Sequence, residues 1–252
     1  MLKIRVMPTM LYKGYGLVKG RGFDSWRRTG SLMQAVKVYN MREVDELVFV
    51  DIAATREGHE PDYSLIDDFA DDCFMPLTVG GGVRTVDQVG KLLAVGADKV
   101  AINTAAVETP DLINQIAKRY GAQCCVVSID YRRPGGARPE VFTAAGTTST
   151  GLDPAAFAHE CEQRGAGEIL LTSIERDGNF EGYDLETIRA VADAVRIPVI
   201  ASGGCGNYEH MAEALSKGGA SAVAAASIFH FTEQTPLEAK KYLAKQGFRV
   251  RL

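Results

Sequence analysis

The segment PLTVGGGVRT, Pro76–Thr85, returns 122 residues along the chain as PVIASGGCGN, Pro198–Asn207. Each copy is a short apolar run that breaks at paired glycines and leads into a polar stretch able to start a helix. Two further pairs keep this spacing to within one residue. DELVFVDI (Asp45–Ile52) is echoed by GEILLTSI (Gly167–Ile174), and GADKVAINT (Gly96–Thr104) by GASAVAAAS (Gly219–Ser227). A repeat at about half the chain length describes two similar halves, each holding several strand–helix units.

Working outward, the same kind of apolar run occurs eight times: KIRVMPTM, ELVFVDI, PLTVG, KVAIN, CCVVSID, EILLTSI, PVIAS and AVAAAS. Between them lie stretches of helical period, among them TVDQVGKLLAVG, TPDLINQIAKRYG, DLETIRAVADAV and YEHMAEALSKGG. Thr109-Pro110 and Asp153-Pro154 each place a capping side chain before a first-turn proline. Thr85 with Gln88, and Thr235 with Glu238, have capping-box spacing. Gly96 and Gly121 follow helix ends. Strands that are apolar throughout, alternating with helices, mean a parallel sheet covered on its outer face. Eight units predict one (β/α)8 TIM barrel with a two-fold half-barrel repeat, spanning residues 1–252 as a single domain. An open doubly wound sheet is the rival. It has no reason to repeat in this way, and no dinucleotide glycine fingerprint follows the first strand.

The bulk properties narrow the function. The 252 residues carry a net charge of −4, so no basic field for nucleic acid is expected. No apolar run approaches the roughly 18 residues of a membrane-spanning helix, so no membrane partner is expected. The N-terminal MLKIRVMP is too short and too soon charged for a signal peptide, and a cytoplasmic location is expected. Cys73, Cys124, Cys125, Cys161 and Cys205 form no CxxC pair or Cys/His cluster. They read as buried free thiols. Neither a metal nor a cofactor is expected.

In a (β/α)8 barrel the chemistry sits where the strands end. The runs end in Asp51, Gly80-Gly81-Gly82, Asn103-Thr104, Asp130, Thr172-Ser173, Ser202-Gly203-Gly204 and Ala226-Ser227, with Asp177-Gly178 just beyond the sixth. Backbone amides without a neighbouring Cβ approach a phosphate closely. Gly81 and Gly82 with Asn103 and Thr104 would form one cradle. Gly203 and Gly204 with Ala226 and Ser227 would form a second, opposite. Two cradles suggest a long ligand with a phosphate at each end. Asp130 lies between them as a candidate general acid or base. The half-barrel logic puts its partner at the end of the first strand, and that position holds Leu11. At the other rim, Arg5, Glu46, Lys99 and Glu168 stand at or near strand starts, where alternating charges could close a ring.

These residues resemble the HisF family, the cyclase subunits of imidazole glycerol phosphate synthase. The likeness covers essentially the whole chain. It is carried by DELVFVDIAA, TVGGGVRT, GADKVAINTAA, GAGEILLTSIERDG, GYDLETIR, PVIASGGCG and SIFHF. The resemblance implies a barrel with two phosphate sites, a glutaminase subunit docked on the strand-start face, and ammonia passing through the barrel. It places Arg5, Glu46, Lys99 and Glu168 at the family's charged gate. Asp130 falls on one of its two catalytic aspartates. Lys19, Asp51, Gly82, Asn103, Thr104, Asp177, Gly204 and Ser227 fall on substrate-side positions.

The departures lie in one place. Leu11 replaces the other catalytic aspartate, and the family's Lys-Asp-Gly turn reads Tyr12-Lys13-Gly14 here. The following loop, KGYGLVKGRGFDSWRRTGSL, is altered, though Lys19-Gly20 survives. In the family this loop closes over substrate. Losing one of two proton-transfer groups costs on the order of 10²–10⁴ in rate. Altered members of this kind resemble those in gene sets for bacterial surface sugars. There, with a glutaminase, they are thought to feed ammonia to an amidotransferase-type synthase that makes an acetamidino group. Three roles follow: such an ammonia relay, the histidine-pathway lyase–cyclase acting on the phosphoribulosyl-formimino carboxamide nucleotide, or an inactive barrel that binds and activates the glutaminase. In the second role, water or Lys19 would replace the missing acid.

Overall fold

The computed structural model describes residues 3–252. Met1 and Leu2, which begin the N-terminal segment discussed above, lie outside the described residues. The strands are β1 (Arg5–Lys13), β2 (Gly16–Arg21), β3 (Asp24–Gly30), β4 (Leu47–Asp51), β5 (Leu77–Gly80), β6 (Lys99–Ile102), β7 (Cys125–Arg132), β8 (Glu140–Thr143), β9 (Thr148–Ser149), β10 (Glu168–Ser173), β11 (Val199–Ser202) and β12 (Ala222–Ala225). Eight of them pair in parallel in the order β10-β11-β12-β1-β4-β5-β6-β7, and β7 pairs with β10 to close the barrel. These eight are the apolar runs of the sequence, and the fold is the expected (β/α)8 barrel.

Strand side chains alternate between the two faces, and both faces are buried here. Val6, Leu47, Val100 and Ile169 point outward into the layer between strands and helices. Met7, Val48, Ala101 and Leu170, each one residue on, point inward with Val126, Ile200, Ala222 and Ala224. That is why the strands read as continuous apolar runs rather than alternating ones.

The helix starts are set locally. Thr85 and Gln88 form a reciprocal capping box. Asp153 accepts from the amides of Ala155 and Ala156 ahead of the helix Pro154–Gln163. Two expected caps differ. Thr109 serves the next helix through its carbonyl, which accepts from Leu112 N at 2.9 Å, and its hydroxyl makes no cap. Thr235 accepts from Glu238 N, but the Glu238 carboxylate is turned to the hydroxyls of Thr235 and Tyr208.

The segment Lys13–Ser31, read from sequence as a loop, is an antiparallel extension of the barrel: β2 pairs with β1, and β3 with β2. A second hairpin, β8–β9, extends β7. The five cysteines are unpaired; Cys125, Cys161 and Cys205 are buried, whereas Cys73 and Cys124 are only half-buried. Among the described residues, no helix is long and apolar enough to cross a membrane.

Candidate active site

The period-2 alternation stacks the barrel interior in levels. The first level holds Arg5, Glu46, Lys99 and Glu168. Arg5 bonds Glu46 at 2.7 Å and Glu168 at 2.9 Å. Lys99 bonds Glu46 at 2.9 Å and Glu168 at 3.2 Å. The four charges form a closed ring, and Thr78 Oγ1 donates to Glu46 at 2.7 Å as a fifth member. Burial works against the Arg5 charge, but the two glutamates outweigh it and raise its pKa. Two residues further along the same strands comes the apolar level of Met7, Val48, Ala101 and Leu170. Two further still, Thr9, Val50, Asn103 and Thr172 line a cavity of about 520 Å³ that opens at the strand ends.

That cavity collects nearly every predicted mouth residue: Leu11, Asp51, Gly81, Gly82, Asn103, Thr104, Asp130, Thr172, Asp177, Gly178, Ser202, Gly203, Gly204, Ala226 and Ser227. The half-barrel repeat is visible in its walls. A Cβ on Gly81 would run into the carbonyl of Asp51, and one on Gly203 into the carbonyl of Ser173, the repeat-equivalent residue. Both glycines hold positive φ, at 111° and 85°. They are therefore glycines for two reasons, conformation and close approach. Several neighbours are already engaged. The Asp51 carboxylate accepts from Ala53 N and Ala54 N. Asn103 donates to the carbonyls of Ser128 and Phe142, and Thr104 Oγ1 accepts from Ala144 N. Thr9 Oγ1 is buried and lacks a hydrogen-bond partner among the described residues.

Asp130 ends its run on β7 and faces the cavity. Burial pushes its carboxyl up to about 7, against hydrogen bonds from Ser128 and Thr172 that pull it down, while the nearby Asp177 adds to the rise. Burial also raises the Asp177 carboxyl, opposed by the charge of Lys19. A carboxyl that titrates near neutrality both takes and gives a proton readily, which suits acid–base work.

Lys19 departs from expectation. It does not line the cavity. Its side chain is folded beneath the β2–β3 hairpin, 2% exposed, and Nζ donates to Thr9 O at 2.5 Å. Burial lowers its pKa, and Asp177 partly restores it. The hairpin itself is seated over the mouth: Gly22 N donates to Asp177 O at 2.9 Å. Its Phe23 and Trp26 line the cavity, as do Arg84 and Glu108. None of these four was predicted; the two aromatics lay in a segment read as loop.

The family model described as Histidine biosynthesis protein matches residues 5–235. The chain belongs to that family. The matched span runs from the first residue of β1 to Thr235, the N-cap of the last helix, so it holds all eight barrel strands and both ends of the interior. As a histidine-biosynthesis-type barrel, the chain carries its cavity where such a barrel carries its chemistry, at the strand ends. Leu11 lies on β1, four strands from β7 on either path round the barrel, and so opposes Asp130 across the mouth.

Proposed function

We propose that this chain is a HisF-type synthase subunit that receives ammonia from a glutaminase docked on the strand-start face. The observation that carries this is the closed ring of Arg5, Glu46, Lys99 and Glu168, one apolar level below the cavity. A ring of paired charges excludes ions, and an apolar level favours a small neutral molecule over its protonated form. Met41 and Phe74 are 77% and 84% exposed, and Asn40 links their segments by accepting from Phe74 N. Large exposed apolar side chains mark a face that a partner covers.

At the mouth, Leu11 stands opposite Asp130. With one carboxylate absent, the ammonia is relayed to a separate amidotransferase-type synthase, for amidino-group formation on a surface sugar. A second reading, the lyase–cyclase of histidine biosynthesis, is favoured by one observation: both glycine pairs line the same cavity as Asp130. Mixing the chain with a HisH-type glutaminase tests the shared part. A complex that hydrolyses glutamine faster than the glutaminase alone is expected. No complex and no stimulation would contradict it.

A further inference from the structure

We propose that the β2–β3 hairpin is a docking element, and that its basic outer edge receives an acidic face of the synthase that takes the ammonia. The inference rests on the relay reading and names a surface for its third member. β3 pairs with β2 alone, so its other edge offers unpaired backbone groups to a partner. In the relay, ammonia leaves through the cavity at the strand ends, and the hairpin is seated over that opening. An acceptor that leaves the opening uncovered loses the ammonia to water. An acceptor that covers it meets the hairpin.

The charges select the partner. The chain as a whole carries −4, yet from Lys13 to Gly30 the one acidic residue is Asp24, against Lys13, Arg21, Arg27, Arg28 and the buried Lys19. Asp24 Oδ1 is turned to Ser25 N at 2.7 Å. Other exposed arginines, such as Arg119 and Arg189, each hold a carboxylate. Arg21, Arg27 and Arg28 are exposed and hold none among the described residues. Arg27 lies across from Lys19 and Arg28 across from Val18. As neighbours on a strand they project to opposite faces, so the edge is basic on both sides. Tyr15, in the turn that leads into β2, is 51% exposed, and Trp26 on β3 is half-buried. Tyrosine, tryptophan and arginine are the residues that most often anchor protein interfaces. A second copy of the chain does not fit this edge. Two β3 strands paired antiparallel about their central residue, Arg27, would bring arginine against arginine.

The test mixes the full chain with a HisH-type glutaminase and an amidotransferase-type synthase. Analytical ultracentrifugation reads the complex, and the amidino product is measured with glutamine and with ammonium as the nitrogen source. Arg27→Glu with Arg28→Glu is expected to weaken the synthase complex about tenfold or more, and to slow the glutamine-driven reaction by a similar factor. The ammonium-driven rate and the binding of the glutaminase should not change. Arg27→Lys with Arg28→Lys should keep most of the affinity. Salt gives a reading that needs no variant. Going from about 0.1 to 1 M shortens the screening length from ~10 to ~3 Å, and the parent complex should weaken accordingly. A synthase complex that tolerates the charge reversal, or holds unchanged in 1 M salt, would overturn the docking edge and leave the relay standing. If the parent forms no complex with the synthase, the docking edge fails. If glutamine also drives no product, the relay fails with it.

Discussion

At one end of the barrel Arg5, Glu46, Lys99 and Glu168 hold one another in a closed ring; at the other, Asp130 faces Leu11 across an open cavity. Both ends are built from the same strands, in levels set by the same alternation, yet they are constrained differently. Each ring charge is satisfied by two others, so any single change strands a buried partner. The Leu11 side chain lines the cavity and belongs to no such ring. The carboxylate expected at position 11 could therefore be exchanged for a leucine without disturbing the fold, while the ring admits no such exchange.

That contrast can be broken most forcefully at the mouth. If only the missing group limits the chemistry, Leu11→Asp raises ammonium-dependent turnover of the phosphoribulosyl-formimino carboxamide nucleotide by about 10²–10⁴. A steady-state assay reads this directly. At the other end, Glu46→Ala leaves Arg5 and Lys99 each short of a partner at a site 2% exposed, and is expected to cost about 3–5 kcal/mol in urea unfolding. Smaller than either is the effect expected at the repeat itself. Gly203→Ala places a Cβ against Ser173 O at a φ of 85° and should cost about 1–3 kcal/mol. Gly81→Ala should match it, because Asp51 takes the place of Ser173.

A subtler effect sharpens the comparison through pH. The Asp130 carboxyl is raised to about 7 in the folded chain, well above its ordinary value near 3.8. Between those values the folded state holds a proton that the unfolded state has released, so stability falls as pH rises. Asp130→Asn removes this loss. Its Tm should equal that of the parent near pH 4, pull ahead between about pH 4 and 7, and keep a constant lead above. The smallest effect belongs to the surface. Arg164→Ala breaks a pair with Glu160 on one exposed helix face and should change stability by about 0.5 kcal/mol or less.

Sequence alone exposed what rests on burial and repetition. The eight barrel strands were legible because both faces of each are apolar, and the glycine pairs of the cavity wall because Gly81-Gly82 recurs as Gly203-Gly204. The ring was legible as charges at the heads of apolar runs, although Thr78, a neutral member within a strand, gave no signal. The hairpin was not legible. Its β3, DSWRRTG, is mostly exposed and lacks the alternation of a half-buried strand. The differences at the mouth follow from that one miss. Lys19 is withdrawn from the cavity because β2 folds back on β1, and Phe23 and Trp26 reach the cavity because the same hairpin lies over it.

The most direct test of the relay account is a turnover assay of the purified, folded chain with ammonium and the phosphoribulosyl-formimino carboxamide nucleotide, run beside an ordinary HisF. The account predicts product at least about a hundredfold slower than the control, because Asp130 lacks the group opposite it. Product at a rate near the control would contradict it, and would make this barrel a working lyase–cyclase that dispenses with a carboxylate at position 11.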